Sequence, residues 1–198
     1  MIRVSAIAAL GVAALAFSLP VAAQMSARNA YIGASVGQAK YNDWCGTVSG
    51  LGSSSCDDKD TAFRLFAGYQ FHPNIAVEVG YADLGKATFS GTFLGVPVTG
   101  KDEFTAWDLV AVGSLPFGTG FSAFGKLGLY HGKVDATANV AGARGTASDT
   151  GTDLTLGLGV GYDFTRNLGV RAEWQRYNDF SDAGGLDVFS LGVVYRFR

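Results

Sequence analysis

Leu154-Thr155-Leu156-Gly157-Leu158-Gly159-Val160-Gly161-Tyr162-Asp163-Phe164 decides the fold. Aliphatic and aromatic residues fill every second position, and Thr155, three glycines and Asp163 fill the others. A strict period of two is the signature of a strand with one apolar face. The opposite face is almost bare. Glycine weakens a strand and has no purpose on a face turned to water. Inside a narrow closed barrel it makes room for bulkier neighbours. Gly157, Gly159 and Gly161 also imitate a phosphate-binding loop. That motif needs a helix after the turn, and no helical period follows here.

The same alternation recurs outward from this stretch. Phe63 to Phe71, Ile75 to Ala82, Leu168 to Gln175 and Phe189 to Phe197 each set an apolar face against a face of charges and glycine. Three weaker runs are Tyr31 to Lys40, Ala106 to Leu115 and Ser122 to Lys133. In the Ala106 run, Trp107, Leu109 and Ala111 are the favoured outward set, with Asp108 inward. Val110 and Val112 are also apolar, so that facing stays open. Eight runs of this kind have the length that a tilted strand needs to cross a bilayer.

Connections alternate in length. His72-Pro73-Asn74, Gly118-Thr119-Gly120 and Thr165-Arg166-Asn167 read as tight turns. Residues 41–60, 86–104, 134–152 and 178–186 read as longer polar loops. Short turns on one side and long loops on the other predict an all-β fold, an eight-stranded antiparallel up-and-down transmembrane β-barrel. A soluble sandwich would show its mixed faces to water, which the glycine-rich faces argue against. Tyr69, Phe71, Tyr162, Phe164, Trp174, Tyr195 and Phe197 sit near strand ends, where interfacial girdles belong.

The N-terminus reads as a signal peptide over residues 1–23. Arg3 precedes an apolar run from Ala6 to Phe17, and Val21-Ala22-Ala23 gives small residues for cleavage before Gln24. That run is shorter than the ~20 residues of a helical membrane anchor. Residues 24–198 are then the barrel domain. Twenty-eight glycines among 198 residues, with four prolines and no collagen period, fit tight turns and a crowded interior. A formal net charge of −2 gives no reason to expect a nucleic-acid partner.

Cys45 and Cys56 flank a glycine- and serine-rich stretch in an exported chain, and are expected to form a local disulfide. Closing such a loop stabilises by on the order of 3 kcal/mol in the chain-entropy account. His72 and His131 have no neighbours at ligand or triad spacing, so neither a metal nor a cofactor is expected. No residue is nominated as catalytic, and the expected reading is non-enzymatic. The sharper constellation is charged. Arg64, Glu78, Asp108, Lys126, Arg171 and Glu173 all fall on inward positions. Buried charges must pair. They make either a structural polar core or a gate whose pairs rearrange.

Ala76-Val77-Glu78-Val79-Gly80-Tyr81-Ala82-Asp83-Leu84-Gly85, Asn167-Leu168-Gly169-Val170-Arg171-Ala172-Glu173-Trp174 and Leu191-Gly192-Val193-Val194-Tyr195-Arg196-Phe197 resemble the third, seventh and closing strands of the outer membrane protein A family. The resemblance covers nearly the whole mature chain. It implies a cell outer membrane location in a Gram-negative bacterium, with membrane lipid and lipopolysaccharide as surroundings. It implies that Tyr195 and Phe197 form the terminal signal read by the barrel-assembly machinery, with periplasmic chaperones as further partners. It also implies that Glu78 and Arg171 form an interior ion pair treated as a gate. The family's alternative partners, a lysine on the fourth strand and a glutamate on the sixth, align with Val112 and Gly161. Lys126, Arg64 or Glu173 would have to replace them. The peptidoglycan-binding domain of larger members is not carried over. The expected function is a monomeric barrel contributing to envelope integrity, with weak passage of small solutes or ions. The alternative is a surface adhesin acting through its loops.

Overall fold

The computed structural model describes residues 29–42, 53–93, 96–140, 142–178 and 185–197, and no side-chain detail for residues 53–56 or 93. The expected signal peptide and Cys45 lie outside these. Nine strands run in chain order: β1 (Ala30–Tyr41), β2 (Ser53–Asp57), β3 (Lys59–His72), β4 (Ile75–Phe93), β5 (Val96–Pro116), β6 (Phe121–Val140), β7 (Ala143–Asp163), β8 (Leu168–Tyr177) and β9 (Leu186–Arg196). Each barrel strand pairs antiparallel with its neighbours, β4 with β5, and β1 closes on β9. The eight long strands make one ring. Closure leaves no strand edge in the lipid region, as a spanning sheet requires.

Outward positions carry the apolar alternation. Leu65, Leu109, Leu127, Leu158, Leu191 and Val193 are exposed on the outer wall. The facing of β5 is resolved by burial. Trp107 and Leu109 are 59% and 60% exposed, whereas Val110 and Val112 are buried in the lumen. The three tight turns gather at one end with the start of β1 and the end of β9. There Asn74 donates to the Ser114 carbonyl at 2.7 Å and Asn167 donates to the Arg196 carbonyl at 2.8 Å, tying neighbouring turns together. Aromatic contacts ring this end, including Phe121–Tyr162, Tyr162–Phe164 and Tyr195–Phe197.

The opposite end differs from the sequence expectation. Residues 86–104 and 134–152 were expected as loops, yet β4, β5, β6 and β7 continue through most of them as paired hairpins. The ladders run from Lys86↔Glu103 to Phe93↔Val96, and from Lys133↔Thr150 to Val140↔Ala143. These stretches carry many Thr, Val and Phe residues, which suit a strand. Ala143–Thr152 is exposed on both faces, so no apolar period marks it, whereas Ala87 and Phe104 stay buried in the β4–β5 hairpin. Gly142, at φ +86°, turns the tip of the β6–β7 hairpin in a conformation that favours glycine. β2 was not expected either. It lies within the predicted first loop and pairs with β4 opposite residues 88–91.

Along the lumen the filling is layered. Toward the hairpin end lies an apolar plug of Tyr41, Leu84, Phe104, Tyr130, Tyr177 and Leu186, among others. The Tyr41 and Phe104 rings lie 4.5 Å apart and those of Tyr130 and Tyr177 5.1 Å. Toward the short turns, Ala76, Val110 and Val112 form a smaller apolar layer with Tyr31 and Phe124. Alongside it opens a polar vestibule of about 230 Å³, bordered by Gln70, Ser114, Ser122, Asp163 and Arg196 and reaching Arg171.

Candidate functional site

Between the two apolar layers lie the six charges named from the sequence. Alternation puts each on the inner side of β3, β4, β5, β6 or β8, and the ring brings them to one place. Glu78 is the hub and is fully buried. Its carboxylate meets Lys126 Nζ at 2.7 Å, Arg171 Nη1 at 2.9 Å and Arg64 Nη1 at 2.9 Å. The Tyr31 hydroxyl donates to the same carboxylate at 3.2 Å. Arg64 holds Asp108 in a two-point grip, Nε to Oδ2 at 2.9 Å and Nη2 to Oδ1 at 2.6 Å. Lys126 and Arg171 also reach Glu173, at 2.8 and 3.2 Å.

The cluster is electrically balanced, with three bases and three acids, and every acid touches at least one base. Two-point guanidinium–carboxylate contacts add geometric definition to the attraction. The Phe66 ring lies beneath the cations, 3.5 Å from the Arg171 guanidinium carbon and 5.1 Å from that of Arg64. Its quadrupole stabilises positive charge away from water. Phe66, Tyr31 and Tyr177, whose hydroxyl approaches Asp108 at 3.5 Å, were not singled out from sequence. An aromatic on the glycine-and-charge face of a strand was the available signal for Phe66. Interior glycines provide the space. A Cβ on Gly80 would collide with the Arg64 guanidinium, and one on Gly159 with the Phe124 ring.

The other sequence-named residues lie apart. Tyr195 and Phe197 face outward at the short-turn end, with their rings 5.1 Å apart. The Cys56 backbone pairs opposite Phe89, but Cys45 and the pairing itself lie outside the described residues. His131 stands exposed on the outer wall with Nδ1 2.9 Å from the Thr152 hydroxyl. Among the described residues no group of three potential metal ligands occurs. Val112 and Gly161 carry no charge, and Lys126 from β6 occupies the place of second partner to Glu78.

The model of the OmpA-like transmembrane domain matches residues 25–198. The chain belongs to that family. Outer membrane protein A of Klebsiella aerogenes is 28% identical over 196 residues, covering 96% of this chain and 54% of its own length. That of Shigella flexneri is 29% identical with the same coverage. The chain thus spans about half the length of the curated relatives it matches. Among solved structures, Ail, the attachment invasion locus protein of Yersinia pestis, aligns with a TM-score of 0.53 at 20% identity, covering 85% of this chain and 96% of that one. The N-terminal β-barrel domain of Pseudomonas aeruginosa OprF aligns with a TM-score of 0.53 at 17% identity, covering 86% and 98%. Likeness at this identity speaks for fold alone. As a member of the OmpA-like family, the chain is an outer-membrane β-barrel of a Gram-negative bacterium.

Proposed function

We propose that this barrel is a non-enzymatic structural element of the outer membrane, contributing to envelope integrity with a sealed lumen. The observation that carries this reading is the layered filling. A neutral network of buried ion pairs lies beneath the plug of Tyr41, Phe104, Tyr130 and Tyr177. A solute crossing the lumen must break charge-assisted contacts among buried side chains and also displace packed rings. The gate reading therefore meets two barriers. Glu78 already holds Arg171 and Lys126 together, so a switch would shift weight between these partners without exchanging them. Membrane lipid and lipopolysaccharide surround the outer wall in this reading, and Tyr195 and Phe197 serve as the assembly signal for the barrel-assembly machinery. Deleting the gene should raise sensitivity to detergent and to large antibiotics, and a plasmid copy should reverse it. Unchanged permeability in the deletion strain would contradict the proposal.

A second reading, surface interaction, is favoured by the hairpins. β6 and β7 stay paired well beyond the apolar belt, and Ala143–Thr152 is exposed on both faces. The end bearing them is the cell-exterior end in both readings. Truncating both hairpins while the barrel still folds would test this reading, because attachment to a surface should then be lost.

A further inference from the structure

Among the described residues, the outer part of β7 is a free sheet edge. β8 pairs with β7 only from Thr155 to Asp163, and its last tie is the Asn178 amide donating to the Leu154 carbonyl at 3.1 Å. Leu154 therefore aims its main-chain groups away from β6. Every second residue of a strand does the same. Arg144, Thr146, Ser148, Thr150 and Thr152 consequently present N–H and C=O groups to the open side, and none has a main-chain partner there among the described residues.

Protected edges are short, bulged, or guarded by proline and charged side chains. This one is long and unbulged, and its guards are three charges, Arg144, Asp149 and Asp153. Ala143–Asp153 contains neither proline nor lysine, and its register with β6 runs without a shift. It extends about 35 Å at strand rise. The face that becomes the lumen lining lower down carries Gly145, Ala147, Asp149, Gly151 and Asp153. A Cβ at Gly145 or Gly151 would meet open space. Asp149 and Asp153 thus stand about 13 Å apart on a low surface, and Asp149 lies opposite the apolar Val134 of β6.

We propose that this edge is a docking site for an extended peptide segment, which adds as a strand beside β7 and carries two basic side chains four positions apart. Main-chain hydrogen bonds would supply affinity, as in other strand-addition interfaces. The two carboxylates would set register, since opposite charges facing each other across strands attract. The occupant is an exogenous segment. The inference rests on the surface-interaction reading and names its site.

The test uses the whole barrel refolded in lipid nanodiscs and a labelled Thr-Val-Lys-Val-Thr-Val-Lys-Val-Thr peptide read by fluorescence anisotropy. Saturable binding is expected. Methylating the amides that face the edge should weaken it about tenfold or more, as should Thr146→Pro with Thr150→Pro, which spares the β6 ladder. Asp149→Asn with Asp153→Asn should remove its salt dependence. Heat-modified gel migration of each variant shows that the barrel is folded. Equal binding of the methylated peptide would overturn the proposal, because charge alone would then suffice. So would absence of saturable binding to a folded barrel, or self-association of barrels abolished by the proline pair, which would assign the edge to a second copy. If hairpin truncation abolishes surface attachment and the proline pair does not, the edge is wrong and the broader reading survives.

Discussion

Replacing Glu78 by alanine should destabilise the barrel more than replacing Arg171, one of the three cations around it. Three cationic side chains converge on that carboxylate, at 2.7 to 2.9 Å. Without it, Lys126, Arg64 and Arg171 face one another with only Asp108 and Glu173 to balance them. Breaking a buried pair by removing one partner costs about 3–5 kcal/mol, and the hub should fall at the upper part of that range. Arg171→Ala is milder. Glu78 keeps Lys126 and Arg64, and Glu173 keeps Lys126, so no acid is left alone. The loss is closer to that of hydrogen bonds to charged groups, about 1.5–3 kcal/mol. In the double variant the costs should fall short of their sum by about 0.5–3 kcal/mol. Urea unfolding of barrels in lipid vesicles, followed by tryptophan emission and gel migration, measures all three. Strict additivity, or a larger loss for Arg171→Ala than for Glu78→Ala, would refute the hub argument.

The lipid-facing register can be tested with arginine. Leu158→Arg, Val170→Arg and Val193→Arg should each cost about 2–4 kcal/mol near the midplane, and Ser190→Arg less, because that position faces inward. Gly80→Ala should displace Arg64 from Asp108 and destabilise by about 1–3 kcal/mol, measured by the same unfolding transition. Mass spectrometry of unreduced membranes should find Cys45 bonded to Cys56. Replacing both by serine should leave heat-modified migration intact, since the closed ladder holds the barrel.

Much of this fold is visible in the sequence wherever lipid imposes a period. Leu154 to Phe164 and Phe189 to Phe197 alternate because one face meets acyl chains and the other a narrow lumen, so strand, facing and inward charges follow together. The β5 run was ambiguous because Val110 and Val112 line an apolar part of the lumen opposite a lipid-facing Trp107 and Leu109. Both faces were apolar and alternation could not choose. The hairpin extensions leave no such pattern, for the opposite reason. Ala143–Thr152 stands above the belt with water on both faces, which removes the period there. Apart from the Glu78–Arg171 pair, which the family resemblance implies and the structure contains, the charges that meet were not legible. Pairing across the lumen depends on strand tilt and on the reach of Lys126 and Arg64, which no local pattern records. The partners Phe66 and Tyr31 carry no charge to attract notice.

The claim that matters most is the sealed lumen, and single-channel recording in planar bilayers tests it most directly. The wild-type barrel should give no resolved steps above the leak. Tyr41→Ala and Phe104→Ala combined with Glu78→Ala, which breach the plug and the ion network together, should introduce them. Stable, resolved conductance steps from the wild-type protein would contradict the account.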